Sequence, residues 1–449
     1  MLLLLLLLAV AIGGSHGQFP RVCMTKEALD SEICCPLWNG SECGVEAMRG
    51  VCLNWWTRTL DDNQYYDDRL NWPNSYFRSS CECLGNYGGF DCGKCKFGYY
   101  GENCDRQKTL VRHEIRELST IERRRFFSYL TLAKYTISKD YVILVTGDRH
   151  HRSTYKFIDA TIYDVFSWIH YYSMKPILMN STFTSNTSYA HQGPAFPGWH
   201  RRLLLFLERE IQELIGDEDF ALPYYDWSHE NNTCSICNEE FLGSNDLQGN
   251  IGGSSYFSSW GAICSGYFYT DAYCRSAERG FHVENLLRKP GRDPKTRIPT
   301  YQDVEATLKW KMFDTEPFDK TSKSSFRNAL EGYVNPVDGK TTDRNMHNMF
   351  HGYIGGTMSQ VPISANDPMF ILHHAYIDKL FEVWIRKNKA TPDKYPNNQH
   401  LGHQRLECAM PFFPCVMNKH MLQNSAVYGY TFTYMDQYCR LYNQVAGGS

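Results

Sequence analysis

Ile158, Ile162, Phe166 and Ile169 recur at helical spacing, in a stripe that ends beside His170. A second stripe follows His200, with Leu203, Leu207, Ile211 and Ile215 four apart and Glu208, Arg209 and Glu210 between them. A third helix is predicted over roughly Asn345 to Tyr353. The fourth opens at Asp367 and Pro368, an N-cap acceptor followed by a proline at the first helical position, and turns Phe370, Ile377, Phe381 and Trp384 inward. Strand signals are few. The pattern therefore predicts a mainly α domain built around a helical bundle.

One apolar run breaks this pattern. MLLLLLLLAVAIGG begins at Met1 and is followed by Ser15, His16 and Gly17, which reads as a secretory signal peptide over residues 1–17, cleaved near Gln18. It is too short to span a bilayer, and no later stretch reaches that length. The 17 cysteines fit an oxidising compartment. So do the glycosylation sequons at Asn39, Asn180, Asn186 and Asn231.

Ten cysteines fall early: Cys23, Cys34, Cys35, Cys43, Cys52, Cys81, Cys83, Cys92, Cys95 and Cys104. With the Gly- and Tyr-rich sequence around them they predict a small disulfide-rich, EGF-like N-terminal module over residues 18–105. Zinc held by Cys81, Cys83, Cys92 and Cys95 is the less favoured alternative. From Arg106 the sequence turns charged and helical, so residues 106–449 are expected to form a second, larger domain. Cys234, Cys237, Cys264 and Cys274 are expected to staple a long excursion between helices. Cys408, Cys415 and Cys439 leave an odd total, hence one thiol free or paired outside the chain. A formal net charge of −3 gives no reason to expect nucleic acid or an anionic membrane as partner.

Candidate chemistry lies in the histidines. His347 and His351 are one helical turn apart, which sets both imidazoles on one face where they can share a metal. The fourth helix adds His373 and His374, and Asp378 follows one turn later, placed to accept an imidazole N–H or to hold the helix. In the other half, His170 ends an apolar stripe, His191 lies in a loop and His200 opens a helix. Three imidazoles per half, with no cysteine or carboxylate as ligand, suit copper, or less distinctively zinc. His113, His150, His151, His229, His282, His400, His403 and His420 sit in charged or turn-rich sequence and are read as surface groups.

The segments SWIHYY, AHQGPAFPGWHRRLLLFLEREIQ and PYYDW resemble the first copper region of tyrosinases. NMHNMFHGYIGGTMSQVPISANDPMFILHHAYIDKLFEVW resembles the second. With QFPRVC and the cysteine-rich segment, the resemblance covers nearly the whole chain and is close to the animal tyrosinase group. It implies two copper ions, with His170, His191 and His200 on the first and His347, His351 and His374 on the second. Spacing leaves the choice between His373 and His374 open; the family motif takes the second. Tyr189 stands two residues before His191, so no cysteine crosslink to that histidine is expected.

The resemblance further implies hydroxylation of tyrosine-like phenols such as tyrosine and DOPA with O2, and oxidation of catechols to o-quinones, as in melanin synthesis. Glu331 and Asn348 would hold a water that accepts the phenol proton. His373, Val361 and Ser364 would border the substrate. Gly352 is smaller than the family leads one to expect, which bears on the shape of the pocket. The expected location is the secretory route, secreted or in a melanosome-like lumen. Two other readings stay open: a zinc-binding paralogue acting as a tautomerase, against which His373 argues, and an O2 carrier with the same dicopper core.

Overall fold

The computed structural model describes residues 17–54, 72–148, 151–174, 177–179, 182–183, 188–264 and 284–436. Residues 1–16 of the expected signal sequence, Asn180, Asn186, His150, His282, Cys274 and Cys439 lie outside these residues. The molecule is mainly α, with a disulfide-rich N-terminal segment.

That segment starts with β1 (Gly17–Pro20) and contains the antiparallel pair β2 (Gly50–Asn54) and β3 (Ser79–Cys83). Its ten cysteines form five disulfides: Cys23–Cys34, Cys35–Cys52, Cys43–Cys81, Cys83–Cys92 and Cys95–Cys104. No thiolate is left there for zinc. A Cβ on Gly50 would lie 2.4 Å from the Cys92 sulfur, so the close strand pairing at the bridges requires glycine.

The second part of the chain begins with β4 (Leu110–Arg112) and helix α1 (Thr120–Tyr135), whose N-terminus is closed by a capping box of Ser119 and Glu122. Next comes a long antiparallel hairpin, β5 (Ile137–Asp148) and β6 (His151–Thr161). This hairpin corrects the expectation that strands are few. Ile158, read as the first turn of a helix, pairs with Ile143 across it, and the helix begins only at Ile162. The stretch is rich in β-branched and aromatic residues, and Val142, Ile143 and Leu144 are all buried, which fits a covered sheet better than an amphipathic helix. β1 adds to β5 as a third strand, with Gln18 opposite Ile143, so the N-terminal segment is tied into the second part by backbone pairing.

Four helices then frame the interior: α2 (Ile162–Met174), α3 (Phe196–Ile215), α4 (Met346–Ile354) and α5 (Met369–Asn388). α3 starts a turn before His200, with Pro197 in its first turn, and stops at Gly216 in the left-handed conformation. α4 matches the helix expected over roughly Asn345 to Tyr353, with Asn345 as its N-cap. α5 opens where Asp367 accepts the Met369 N–H at 2.9 Å. Near the C-terminus β6 is followed by β7 (Tyr430–Phe432), which pairs in parallel with β4 and brings Arg112 against α3 and α5.

Cys234 pairs with Cys237 and Cys408 with Cys415, while Cys264 is also disulfide-bonded. The Cys234–Cys237 bridge spans three residues and so staples a turn, not the long excursion expected. No helix among the described residues is long and apolar enough to cross a membrane.

Candidate metal centre

His170 projects from the middle of α2, His200 from the first turns of α3, and His191 from the loop that leads into α3. All three are buried, and one ring nitrogen of each lies within 4.8 Å of the others. His200 Nδ1 donates to the Phe196 carbonyl at 2.8 Å, and His170 Nδ1 faces the Pro362 carbonyl at 3.4 Å. With Nδ1 carrying the proton, each Nε2 keeps its lone pair, and both Nε2 atoms are buried without a hydrogen-bond partner.

The second cluster is built the same way. On α4, His351 Nδ1 donates to the Met358 carbonyl at 2.8 Å and His347 Nδ1 to Asn348 Oδ1 at 3.0 Å. Their Nε2 atoms each lie 3.3 Å from Nε2 of His374 on α5, so three ring nitrogens converge on one point. The clusters adjoin: the His200 and His374 rings stack 4.3 Å apart, and Phe370 packs on both His374 at 3.9 Å and His170 at 4.8 Å.

His373 belongs to the second group by proximity, but its bonding differs. Trp227 Nε1–H donates to His373 Nδ1 at 3.0 Å. An indole can only donate, so the neutral His373 ring holds its proton on Nε2 and its one lone pair is already used. It is fully buried, packed against His347 and Phe350, and does not reach the cavity described below.

Burial, the first cause, and mutual repulsion among the rings keep these imidazoles neutral. His170, His191, His347 and His374 fall well below the ordinary range, His200 to about 3 and His351 to about 4. Neutral nitrogen donors with no carboxylate or thiolate among them form the set that copper favours. Buried ring nitrogens facing one another without partners fit a cation bound between them.

The loop carrying His191 is held by groups that sequence reasoning missed or assigned elsewhere. His403, read as a surface residue, is fully buried: its Nδ1 accepts from Ala195 N at 3.1 Å and its Nε2 donates to the Ser188 carbonyl at 2.6 Å. A Cβ on Gly193 would fall 2.7 Å from that ring, so His403 packs on bare backbone. The turn-rich sequence around it hid this role, because a loop side chain was assumed to face water. Replacing His403 by Ala strands two buried backbone groups and should cost about 1–3 kcal/mol. Melting temperature and copper content should fall together; unchanged values of both would mean that the loop is held by other contacts.

Glu331 is also fully buried, at the end of a short helix over Phe326–Glu331. Its Oε1 accepts the Gln192 N–H at 2.7 Å, and its Oε2 lies 3.3 Å from Arg327. Burial, the leading cause, raises its carboxyl to about 7 against the opposing pull of Arg327. Asp378, by contrast, contacts no imidazole of the clusters. It binds Arg112, Arg201 and Tyr430, and so holds helices together.

A cavity of about 1010 Å³ opens onto the clusters, with His191, His347, His351 and Asn348 at its floor and Val361 and Ser364 on its wall. Glu331 does not line it; the chain beside it does approach, since a Cβ on Gly332 would sit 3.1 Å from Asn348 Cβ. At Gly352 a Cβ would meet the Thr296 methyl at 3.0 Å. The space left by the small residue is therefore narrowed by Thr296, which lines the same cavity.

Comparison with known proteins agrees with this architecture. The family described as the common central domain of tyrosinase matches residues 160–387. Bos taurus tyrosinase is 40% identical over 94% of this chain and 82% of its own length. Tyrosinase of Pelophylax lessonae is 40% identical over 95% of this chain and 84% of its own. The 5,6-dihydroxyindole-2-carboxylic acid oxidase of Ambystoma mexicanum is 37% identical over 92% and 82%.

Proposed function

Because the chain belongs to the tyrosinase family, type-3 dicopper oxidoreductases whose activity it shares, we propose that His170, His191 and His200 hold one copper and His347, His351 and His374 the other. The observation that carries this assignment is the shared construction of the site. Nδ1 protons of His200, His351 and His347 are spent on oxygen acceptors, which leaves Nε2 of His200 buried without a partner and sets Nε2 of His347 and His351 against Nε2 of His374. His373, used by Trp227, is left as a packing neighbour of His347, not a ligand.

When bound, the coppers supply O2 activation and take up the electrons of the phenol. The protein does the rest. The cavity admits a phenolic substrate past Val361 and Ser364, and the rings of Phe196 and Phe370 pack on the histidines from the buried side. An open cavity at the floor of which imidazoles are reachable supports substrate turnover over sealed O2 carriage. The o-quinone products suit a melanin-type polymer. Residues 18–105 are assigned to the disulfide-rich module and 106–449 to the catalytic domain. The secretory route follows from the disulfides and the relatives, with secretion or a melanosome-like lumen as the proposed destination. Exposure of Asn39 and Asn231 supports their glycosylation.

A phenol must lose its proton to become a good donor, and a water between Glu331 and Asn348 is the proposed acceptor. Two features support it: Asn348 lines the cavity beside His347, and the carboxyl of Glu331 sits near 7, close to the operating pH. Asn348→Ala should slow hydroxylation of tyrosine about tenfold or more while oxidation of DOPA changes little. The check is the ratio of the two initial rates at measured copper content. If both rates fall together at full copper, Asn348 acts only by fixing the His347 tautomer, and the base lies elsewhere.

A further inference from the structure

A second cavity, of about 990 Å³, lies on the other side of α3, between that helix, the disulfide-rich segment and the chain around Cys415. Its wall includes the aromatic rings of Phe97, Phe206, Phe413 and Tyr428. Into it come two arginines of α3, Arg202 and Arg209. Nε and one terminal nitrogen, Nη1, of Arg202 are buried with no hydrogen-bond partner among the described residues, and so is Nε of Arg209. The Arg202 guanidinium is held between the rings of Phe97 at 4.8 Å and Phe412 at 5.0 Å. Arg209 rests on Phe97 and Tyr100 at 5.3 and 5.5 Å.

The acidic groups nearby do not neutralise these charges. Asp140 and Glu213 both bind Lys94. Glu210, buried and beside Asp140, has its carboxyl pushed up by burial, which favours its neutral form. Glu208, on the same helix, is engaged by Arg112. Ring contacts orient a guanidinium, but they do not replace its hydrogen bonds, and a buried cation left without them is costly.

We propose that this cavity is a second binding site, for a small monocarboxylate with an apolar body. The carboxylate would meet the Arg202 guanidinium, which lines the cavity with no carboxylate bonded to it among the described residues, and the apolar body would lie along the aromatic side chains. Charge selects the head of the ligand and the rings select its tail. The site is separate from the histidine clusters and independent of which metal they hold.

The test uses the full copper-loaded chain, with octanoate and octanamide as probes in titration calorimetry. Octanoate should bind, and octanamide should bind at least about tenfold more weakly, because it lacks the charge that strengthens the hydrogen bonds. Hydrogen exchange should slow at residues 94–100 and 413–417 on octanoate addition. Arg202→Met, which keeps much of the apolar stem, should weaken octanoate about tenfold or more, and Arg202→Lys should recover part of the loss. Equal binding of the amide, protection only around the histidine cavity, unchanged affinity in a folded Arg202→Met variant, or no octanoate binding at millimolar concentration would each overturn the proposal. Should Arg202→Met fail to fold, the acid–amide comparison and the exchange footprint decide it on the unaltered protein.

Discussion

Replacing His351 by Ala should leave the chain with one copper in place of two and lower oxidation of both tyrosine and DOPA by more than about 100-fold, since even residues outside the ligand set commonly cost 10–100-fold. The loss is large because His351 Nε2 faces His374 Nε2 at 3.3 Å inside the second cluster, and its orientation is fixed by the Met358 carbonyl. Among the described residues no carboxylate or thiolate groups with His347 and His374 to replace it, and His373 has its lone pair engaged by Trp227. His373→Leu is the matched control. That ring gives its lone pair to Trp227, so the variant should keep both coppers and lose part of its activity through altered packing on His347. Metal analysis with oxygen uptake reads both variants. Two coppers with full activity in His351→Ala would remove the assignment, and loss of a copper in His373→Leu would shift the ligand by one residue.

The largest effect on stability is expected at Asp378. Its two oxygens receive Arg201 at 2.6 Å, Arg112 at 3.0 Å and the Tyr430 hydroxyl at 2.6 Å, and all of these groups are buried. Arg112 also binds Glu208, and Arg201 also binds Glu382, so one network joins α3, α5 and β4. Asp378→Ala leaves two guanidiniums short of a partner in the interior and should cost about 3–5 kcal/mol. Such a network is weak evidence that charge stabilises the fold better than packed hydrocarbon would. Its consequence lies in position: His200 and His374 ride on the two helices it joins. Denaturant unfolding of the variant, followed by metal content at a concentration where it is still folded, tests both effects. A change under about 1 kcal/mol would mean that the helices are held by apolar packing alone.

The parts of the site that repeat with helical period were readable in the sequence. His347 and His351 share a face because four residues make about one turn, and the stripe ending at Ile169 correctly brought His170 to the core. What escaped depended on contacts remote in sequence. His403 looks like a surface loop residue until Ser188 and Ala195 supply its partners, more than two hundred residues away. The indole proton that Trp227 donates to His373, on which the proposed choice of His374 leans, is encoded by no spacing rule. Glu331 was readable as a holder of the proton-accepting water only by resemblance, and its bond to Gln192 in the His191 loop was not readable from spacing. Ile158 misled because its spacing to Ile162 fits a helix, while β-branched and aromatic residues on both sides form a buried hairpin.

The central claim is that six specific imidazoles hold two coppers. X-ray anomalous scattering measured on either side of the copper edge, from crystals of the copper-loaded protein, tests it most directly. The prediction is two copper peaks, one bounded by His170, His191 and His200 and the other by His347, His351 and His374. A single peak, a signal at the zinc edge in its place, or a peak bound to His373 would contradict it.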